Sequence, residues 1–389
     1  MAKLSFIRCA MACAVAASST GCGDGTLAPP GDGRAAVIVT VGDTWARLDP
    51  ETGRLIWTAN AGMRIEQGVL SPDGRVILAG YGDELSRRFL AAIDAATGRE
   101  LWRMPLSTAW VPEIGDGIGL LAASELAIRP DGAVLWIWHA TLDGTVGVAT
   151  LDLQTRRPLA FSGPWNVAAA GLVPVLTPAP GFPDGFLAVL ASQDNGGPTN
   201  GEAIHLLHPV SLQPMDSITL AEVPAAGGDI WQVVPSRDGR TLYIAGDSRL
   251  LRFDLETRRI TAQTPRLATG SLRLTPDGRT LIQTDGGWWP DTPGSGIIRL
   301  YDEQLVLVGT IDASTPVGGM PDSPTASVMG PAHPSADGTT IYVRTGTAAI
   351  GPLYPKQRSR LLVIDLPTRS VRRVIELDGY GRGLVLVAQ

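Results

Sequence analysis

SPDGRVILAGYGDELSRRFLAAIDAATGRELW, residues 71–102, carries two turn signals and the strands between them. Ser71-Pro72-Asp73-Gly74 ends in Asp-Gly, the pair that supplies the φ > 0 positions of a tight hairpin. The run from Arg75 to Gly80 is then rich in aliphatic and β-branched residues, as a strand is. Asp94-Ala95-Ala96-Thr97-Gly98 makes the second turn, where the carboxylate can accept backbone N–H groups. The stretch predicts part of an antiparallel meander.

Both signals recur along the chain. Asp-Gly turns stand at PGDGR (30–34), SPDGR (71–75), RPDGA (129–133), FPDGF (182–186), SRDGR (236–240), TPDGR (275–279) and SADGT (335–339). The second turn recurs at RLDPETGRLIW (47–57), AIDAATGRELW (92–102), TLDLQTRRPLA (150–160), LLHPVSLQPMD (206–216), RFDLETRRITA (252–262), LYDEQLVLVGT (300–310) and VIDLPTRSVRR (363–373). His208 replaces the aspartate in the fourth copy. Seven interleaved pairs predict seven four-stranded antiparallel units. One such sheet cannot bury both faces alone, whereas seven in a ring can. The expected fold is an all-β seven-bladed β-propeller. The first unit begins at its turn and lacks an innermost strand, while 383–389 (GLVLVAQ) reads as one. That segment is therefore expected beside 35–41, closing the first blade and removing an open edge.

Composition agrees with many short strands: 46 glycines and 30 prolines in 389 residues disfavour a helical bundle. The net charge is −6, with no basic block, which argues against a nucleic-acid partner. Cysteine occurs only at positions 9, 13 and 22, so a disulfide framework or a cysteine-based zinc site is excluded for the body. Lys3 and Arg8, an apolar run from Cys9 to Ala17 and small residues after it read as a secretory signal.

Ser19-Thr20-Gly21-Cys22 resembles a bacterial lipobox. The resemblance implies a signal peptide over 1–21, lipidation of Cys22, a flexible tether over 22–33, a propeller over 34–389 and a membrane contact through the lipid anchor. No aspartate follows Cys22 directly, which points the address to the outer membrane. SPDGR with its strand and IDAATG resembles the YVTN-type propeller repeat. ATGRELW (96–102) and ETGRLIW (51–57) are similar to the PQQ-type repeat, whose Thr-Gly-x-x-x-Trp docks one blade on the next. That resemblance makes Trp57 and Trp102 docking residues. PQQ dehydrogenases are longer and many carry a vicinal cysteine pair, which this body lacks, so no cofactor is expected.

The Asp-Gly and Asp-x-x-Thr turns fall on one face of such a propeller. The connections of variable length fall on the other, at 110–119, 163–171, 192–202, 285–296, 312–330 and 346–359. Long loops on a rigid scaffold usually carry function. Trp110, Trp165, Trp288 and Trp289 lie in them, and exposed tryptophans suit a protein or glycan ligand; covering blade ends is the other use for such rings. No catalytic residue is assigned, since no HExxH or Gly-x-Ser-x-Gly motif is present. His205 and His208 read as structural. His139 and His333, with Glu113, Asp143, Asp229 or Asp322, are the material for a metal near the channel. Asp194, Asn195, Asn200 and Glu202 are loosely calcium-like, at a spacing that matches no EF-hand. Two functions stay open: a non-enzymatic envelope binding scaffold, and a metal-dependent lactonase- or hydrolase-type propeller.

Overall fold

The computed structural model describes residues 37–41, 43–82, 88–106, 122–129, 131–140, 145–166, 172–175, 182, 184–192, 202–219, 222–223, 230–246, 249–265, 271–284, 296–313, 327–347, 359–377 and 385–387. They form seven blades. Blade 1 holds β1 (Val37–Val41), β2 (Thr44–Leu48) and β3 (Leu55–Asn60). Blade 2 holds β4 (Arg64–Leu70), β5 (Val76–Gly82), β6 (Arg88–Asp94) and β7 (Glu100–Leu106). Blade 3 holds β8 (Ala122–Ile128), β9 (Val134–Ala140), β10 (Thr145–Asp152) and β11 (Arg157–Asn166), and blade 4 holds β12 (Leu172–Val175), β13 (Phe186–Ser192), β14 (Glu202–Leu207) and β15 (Pro214–Thr219). Blade 5 is β16 (Ile230–Pro235), β17 (Thr241–Gly246), β18 (Leu250–Asp254) and β19 (Arg259–Gln263); blade 6 is β20 (Ser271–Leu274), β21 (Leu281–Thr284), β22 (Ile297–Tyr301) and β23 (Leu307–Asp312). Blade 7 is β24 (Ser327–Pro334), β25 (Thr340–Thr347), β26 (Ser359–Asp365) and β27 (Ser370–Leu377).

The predicted closure is present. β28 (Val385–Val387) pairs antiparallel with β1, in the register Val37–Val387, Ile38–Leu386 and Val39–Val385. Blade 1 is thus ordered β28-β1-β2-β3. The meander departs from its simple form once. Asn166 at the end of β11 pairs with Ser192 of β13, which merges blades 3 and 4 into one eight-stranded sheet.

The core is divided among the blade junctions. Seven apolar clusters occur among the described residues, each shared by two adjacent blades. The cause is the period of two along a strand. In β1, Val37 and Val39 pack towards blade 7, while Ile38 packs towards blade 2. A buried polar clasp joins the same two ends of the ring. Arg344 on β25 donates through Nη1 to the carbonyl and hydroxyl of Thr40 on β1, and through Nη2 to Ser359 Oγ at 3.1 Å.

The Asp-Gly turns differ in one respect from the expectation. Only the glycine takes φ > 0, at +70° in Gly74 and +67° in Gly239. The aspartate works through its side chain: Asp73 Oδ1 accepts the Ser71 hydroxyl at 2.6 Å and the Arg75 N–H at 3.1 Å. Asp238, Asp277 and Asp337 repeat this arrangement.

In the second turn, Asp94 Oδ1 accepts both the N–H and the hydroxyl of Thr97, at 2.7 and 2.8 Å, and Asp152, Asp254 and Asp365 do likewise. His208 takes over the task in blade 4, its Nδ1 accepting the N–H groups of Val210 and Ser211 at 3.2 and 3.1 Å.

The second turn also places one residue per blade in the left-handed region: Gly53, Gly98, Arg156, Leu212, Arg258, Leu305 and Arg369, with φ between 52° and 74°. This residue meets the outer strand of the preceding blade. Trp57 lies on Gly98, where a Cβ would fall 2.7 Å from the indole, and Trp57 Nε1 donates to Ala95 O at 3.2 Å. Trp102 stacks under the Arg156 guanidinium, whose Cζ is 5.0 Å from a ring centroid. Ala160 packs in the cluster that holds Leu212, and Ala262 in the cluster that holds Leu305. Asp216 pairs with Arg258 at 2.6 Å. A Cβ on Gly309 would strike the Arg369 guanidinium. Across the closure, Ile375 covers Gly53 and Arg373 Nη1 reaches Thr52 O at 3.5 Å. The junctions meet through these turns with varied pairings: a ring on glycine or on a guanidinium, large against small, or acid against base.

Candidate functional site

Strand connectivity separates the two faces. The Asp-Gly turn links the first and second strands of a blade, and the Asp-x-x-Thr turn links the third and fourth, so both lie at one end. They are tied to each other across the blade: Ala95 N donates to Arg75 O at 2.8 Å, Leu153 N to Ala133 O at 3.0 Å, and Leu255 N to Arg240 O at 2.9 Å. Backbone ties, carboxylate acceptors and threonine hydroxyls hold these turns together. Several of its aspartates are held in the ionised form. In Asp254, the Thr257 N–H and hydroxyl pull the carboxyl below its usual range, and in Asp277 the Thr275 hydroxyl and the Arg279 N–H do so. Such turns act as rivets.

The innermost strands carry polar side chains that are engaged or neutralised. Gln232 on β16 grips the backbone of Leu272 on β20 from both ends of its amide, donating to the carbonyl at 3.1 Å and accepting the N–H at 2.7 Å. His333 on β24 is kept neutral: desolvation, with help from the positive charge of Arg273, pushes it down to about 3. A group so hard to protonate is a poor general base near neutrality. Among the described residues, no three His, Cys, Asp or Glu side chains gather as a metal site would need. His139 is on β9, paired with Ala123 and Gly147, while Glu113, Asp143, Asp229 and Asp322 lie outside the described residues. His205 is buried in β14, where desolvation lowers its pKa, and His208 is engaged in its turn.

Most of the segments singled out from the sequence for the opposite face lie outside the described residues. Trp110, Trp288 and Trp289 lie outside the described residues, as do Asp194, Asn195 and Asn200, and as does Cys22 with the signal and tether. Glu202 begins β14. Trp165 is placed on β11, opposite Val146, so the stretch 163–166 belongs to a strand and not to a loop. The reason is the merger of blades 3 and 4, which extends β11 until Asn166 can reach Ser192. Of the four tryptophans, only Trp165 lies among the described residues.

The docking series was only partly visible in the sequence. Trp57 and Trp102 were legible by their Thr-Gly-x-x-x-Trp spacing. Asp216, Gly309 and Arg373 share no residue type with them, and only the pairing across a junction reveals their common task.

Comparison with known proteins places the chain among propellers. The family model described as outer membrane protein assembly factor BamB, a PQQ-type repeat family, matches residues 17–109 and 41–146, about a third of the chain. Two quinoproteins of Pseudomonas putida match short stretches. The quinoprotein alcohol dehydrogenase PedE is 38% identical over 60 residues, 15% of this chain and 9% of that protein. A quinoprotein ethanol dehydrogenase is 36% identical over 56 residues, 14% of this chain and 8% of that protein. The chain thus spans under a tenth of the length of these relatives.

Among solved structures, a protein from Lactobacillus plantarum superposes with a TM-score of 0.54 at 14% identity, over 91% of this chain and all of that one. Dihydro-heme d1 dehydrogenase NirN in complex with DHE gives 0.51 at 15% identity, over 88% and 73%. At such identities the likeness is one of fold.

Proposed function

We propose that this chain, a seven-bladed propeller of PQQ-like repeats, is a binding scaffold of the bacterial envelope that recognises a protein or glycan ligand on its long-loop face. One observation carries the reading: the two faces are built differently. The turn face is riveted by repeated hydrogen bonds and its connections are four to six residues long, apart from the ten between β12 and β13, while the connections at the other ends of the strands run from two to fifteen residues. A rigid ring that keeps one face uniform and varies the other is suited to presenting recognition loops. The matched family's description as an outer-membrane assembly factor supports an envelope address. Anchoring would run through lipidated Cys22 after removal of 1–21, with 22–33 as the tether. Stable attachment follows because more than one acyl chain is present in such anchors.

The quinoprotein likeness does not extend to a reaction. It covers 15% of this chain and 9% of the dehydrogenase. The test is replacement of Trp288 and Trp289 together by alanine. Binding to the envelope partner or glycan should weaken by roughly 2 kcal/mol, the scale of an aromatic hot spot, with the melting temperature unchanged. A large loss of stability with no specific loss of binding would overturn the reading. Mass spectrometry of the mature protein should find an acylated N-terminal Cys22.

A further inference from the structure

The junction between blades 2 and 3 leaves a cleft of about 370 Å3 on the turn face. Two features distinguish that junction from the others. First, Trp102 meets a guanidinium in place of a glycine, so its ring cannot settle on the neighbouring turn as Trp57 does on Gly98. Second, the Asp-Gly turns stand further apart here. A Cβ on Gly132 would lie 4.0 Å from Pro72 Cδ, against 3.7 Å for Gly338 to Pro276 and 3.1 Å for Gly278 to Arg237.

The lining of the cleft has a definite chemistry. Its floor is aliphatic, with Leu78, Ile128 and Leu153, and Leu101 stands half-exposed at its lip. Two polar atoms lack hydrogen-bond partners among the described residues. Trp102 Nε1 donates to nothing, where Trp57 Nε1 has Ala95 O. Asp73 uses Oδ1 for the Ser71 hydroxyl and the Arg75 N–H, while its Oδ2 accepts no hydrogen bond. The second carboxylate of the lining, Asp131, is already paired with Arg129 at 2.5 Å and offers no comparable acceptor.

The geometry points to a peptide-binding cleft, separate from the long-loop face, for an extended segment that carries an apolar side chain next to a lysine or arginine. The apolar side chain fills the aliphatic floor, a peptide carbonyl accepts from Trp102 Nε1, and the neighbouring cation reaches Asp73 Oδ2. An anionic neighbour would instead face the Asp73 carboxylate and be repelled.

The probes are three doubly blocked dipeptides, acetyl-Phe-Lys-amide, acetyl-Phe-Glu-amide and acetyl-Gly-Lys-amide, titrated into the full chain by calorimetry or ligand-observed NMR. The first should bind at least fivefold more tightly than either of the others. Asp73→Asn should bring the Lys and Glu probes together, and Trp102→Phe, which keeps the ring and removes the N–H, should weaken all binding. Melting curves establish that both variants remain folded. Leu101→Ser, at a half-exposed position, serves as a second test of the floor should either variant melt early. Equal affinity for the three probes, no binding at millimolar concentration, or binding unchanged in both folded variants overturns the proposal. None of these results bears on the Trp288 and Trp289 test, which reads the opposite face.

Discussion

The junction of blades 1 and 2 and the junction of blades 4 and 5 do one job with opposite materials. The first lays Trp57 on Gly98, an apolar ring on bare backbone. The other sets Asp216 against Arg258, whose guanidinium also reaches Glu222 and the Ser217 carbonyl. The docking positions are the same, and only the chemistry has changed. What the ring demands of each junction is complementarity at two fixed positions. The first junction is part-buried and apolar, whereas the second is more exposed and charged and therefore dependent on pH and salt.

The contrast can be broken most severely at Gly98. Gly98→Val places a β-branched residue at φ +73° and drives a side chain into Trp57. Denaturant unfolding should show a loss of about 3 kcal/mol or more, the sum of backbone strain and overpacking. Adding Trp57→Ala should return the steric part and leave the strain, which separates the two contributions.

Exchanging the materials sharpens the contrast at a smaller energy. Asp216→Trp and Arg258→Gly each break the fourth junction and should each cost about 1 kcal/mol, since the ion pair is part-exposed. The double variant copies the first junction and should recover more than half of the combined loss in a mutant cycle. Failure to couple would mean that the two positions do not dock as a pair.

The pH dependence differs between the junctions too. Burial opposes ionisation of Glu222, but the Thr219 N–H and the Arg258 guanidinium outweigh it and hold the carboxyl below its usual 4.5. A depressed folded-state pKa means that this stabilisation is complete above 4.5 and is lost as pH falls below it. Wild type and Arg258→Ala should therefore converge in stability as pH drops below that value, while the difference between wild type and Trp57→Ala stays level.

The smallest effect is expected at Arg369→Gly. Glycine relieves the left-handed strain at φ 54° but gives up the cover that Arg369 lays over Gly309. The two changes oppose each other, and the net shift should stay within about 0.5 kcal/mol.

Blade number, strand order and closure were all legible in the sequence, because Asp-Gly and Asp-x-x-Thr turns impose local hydrogen bonds that any copy must keep. His208 shows the limit of that grammar: it breaks the pattern as a letter yet satisfies it as an acceptor. The docks were legible only on the tryptophan side, at Trp57 and Trp102. Elsewhere the rule is relational, and a relation between residues some fifty positions apart leaves no local signature. Trp165 was misplaced for a similar reason, since the β11–β13 contact that lengthens its strand joins two repeats. The cleft beside Trp102 was invisible because its lining comes from two repeats, residues 71–102 and 128–153.

The closing strand has a consequence for how such a ring comes into being. Val385–Val387 must lie beside Val37–Val39 before blade 1 has its innermost strand. A ribosome delivers the segments far apart in time. Throughout that interval the row of amides and aliphatic side chains along β1 stays uncovered, open to any passing strand. Blades 2 to 7 can assemble locally as they emerge, but the first to be made is the last to be finished. A chaperone that shields one edge until translation reaches residue 387 would protect the whole molecule, and a truncation of a few residues there would leave a nearly complete protein in the shape of a template for aggregation.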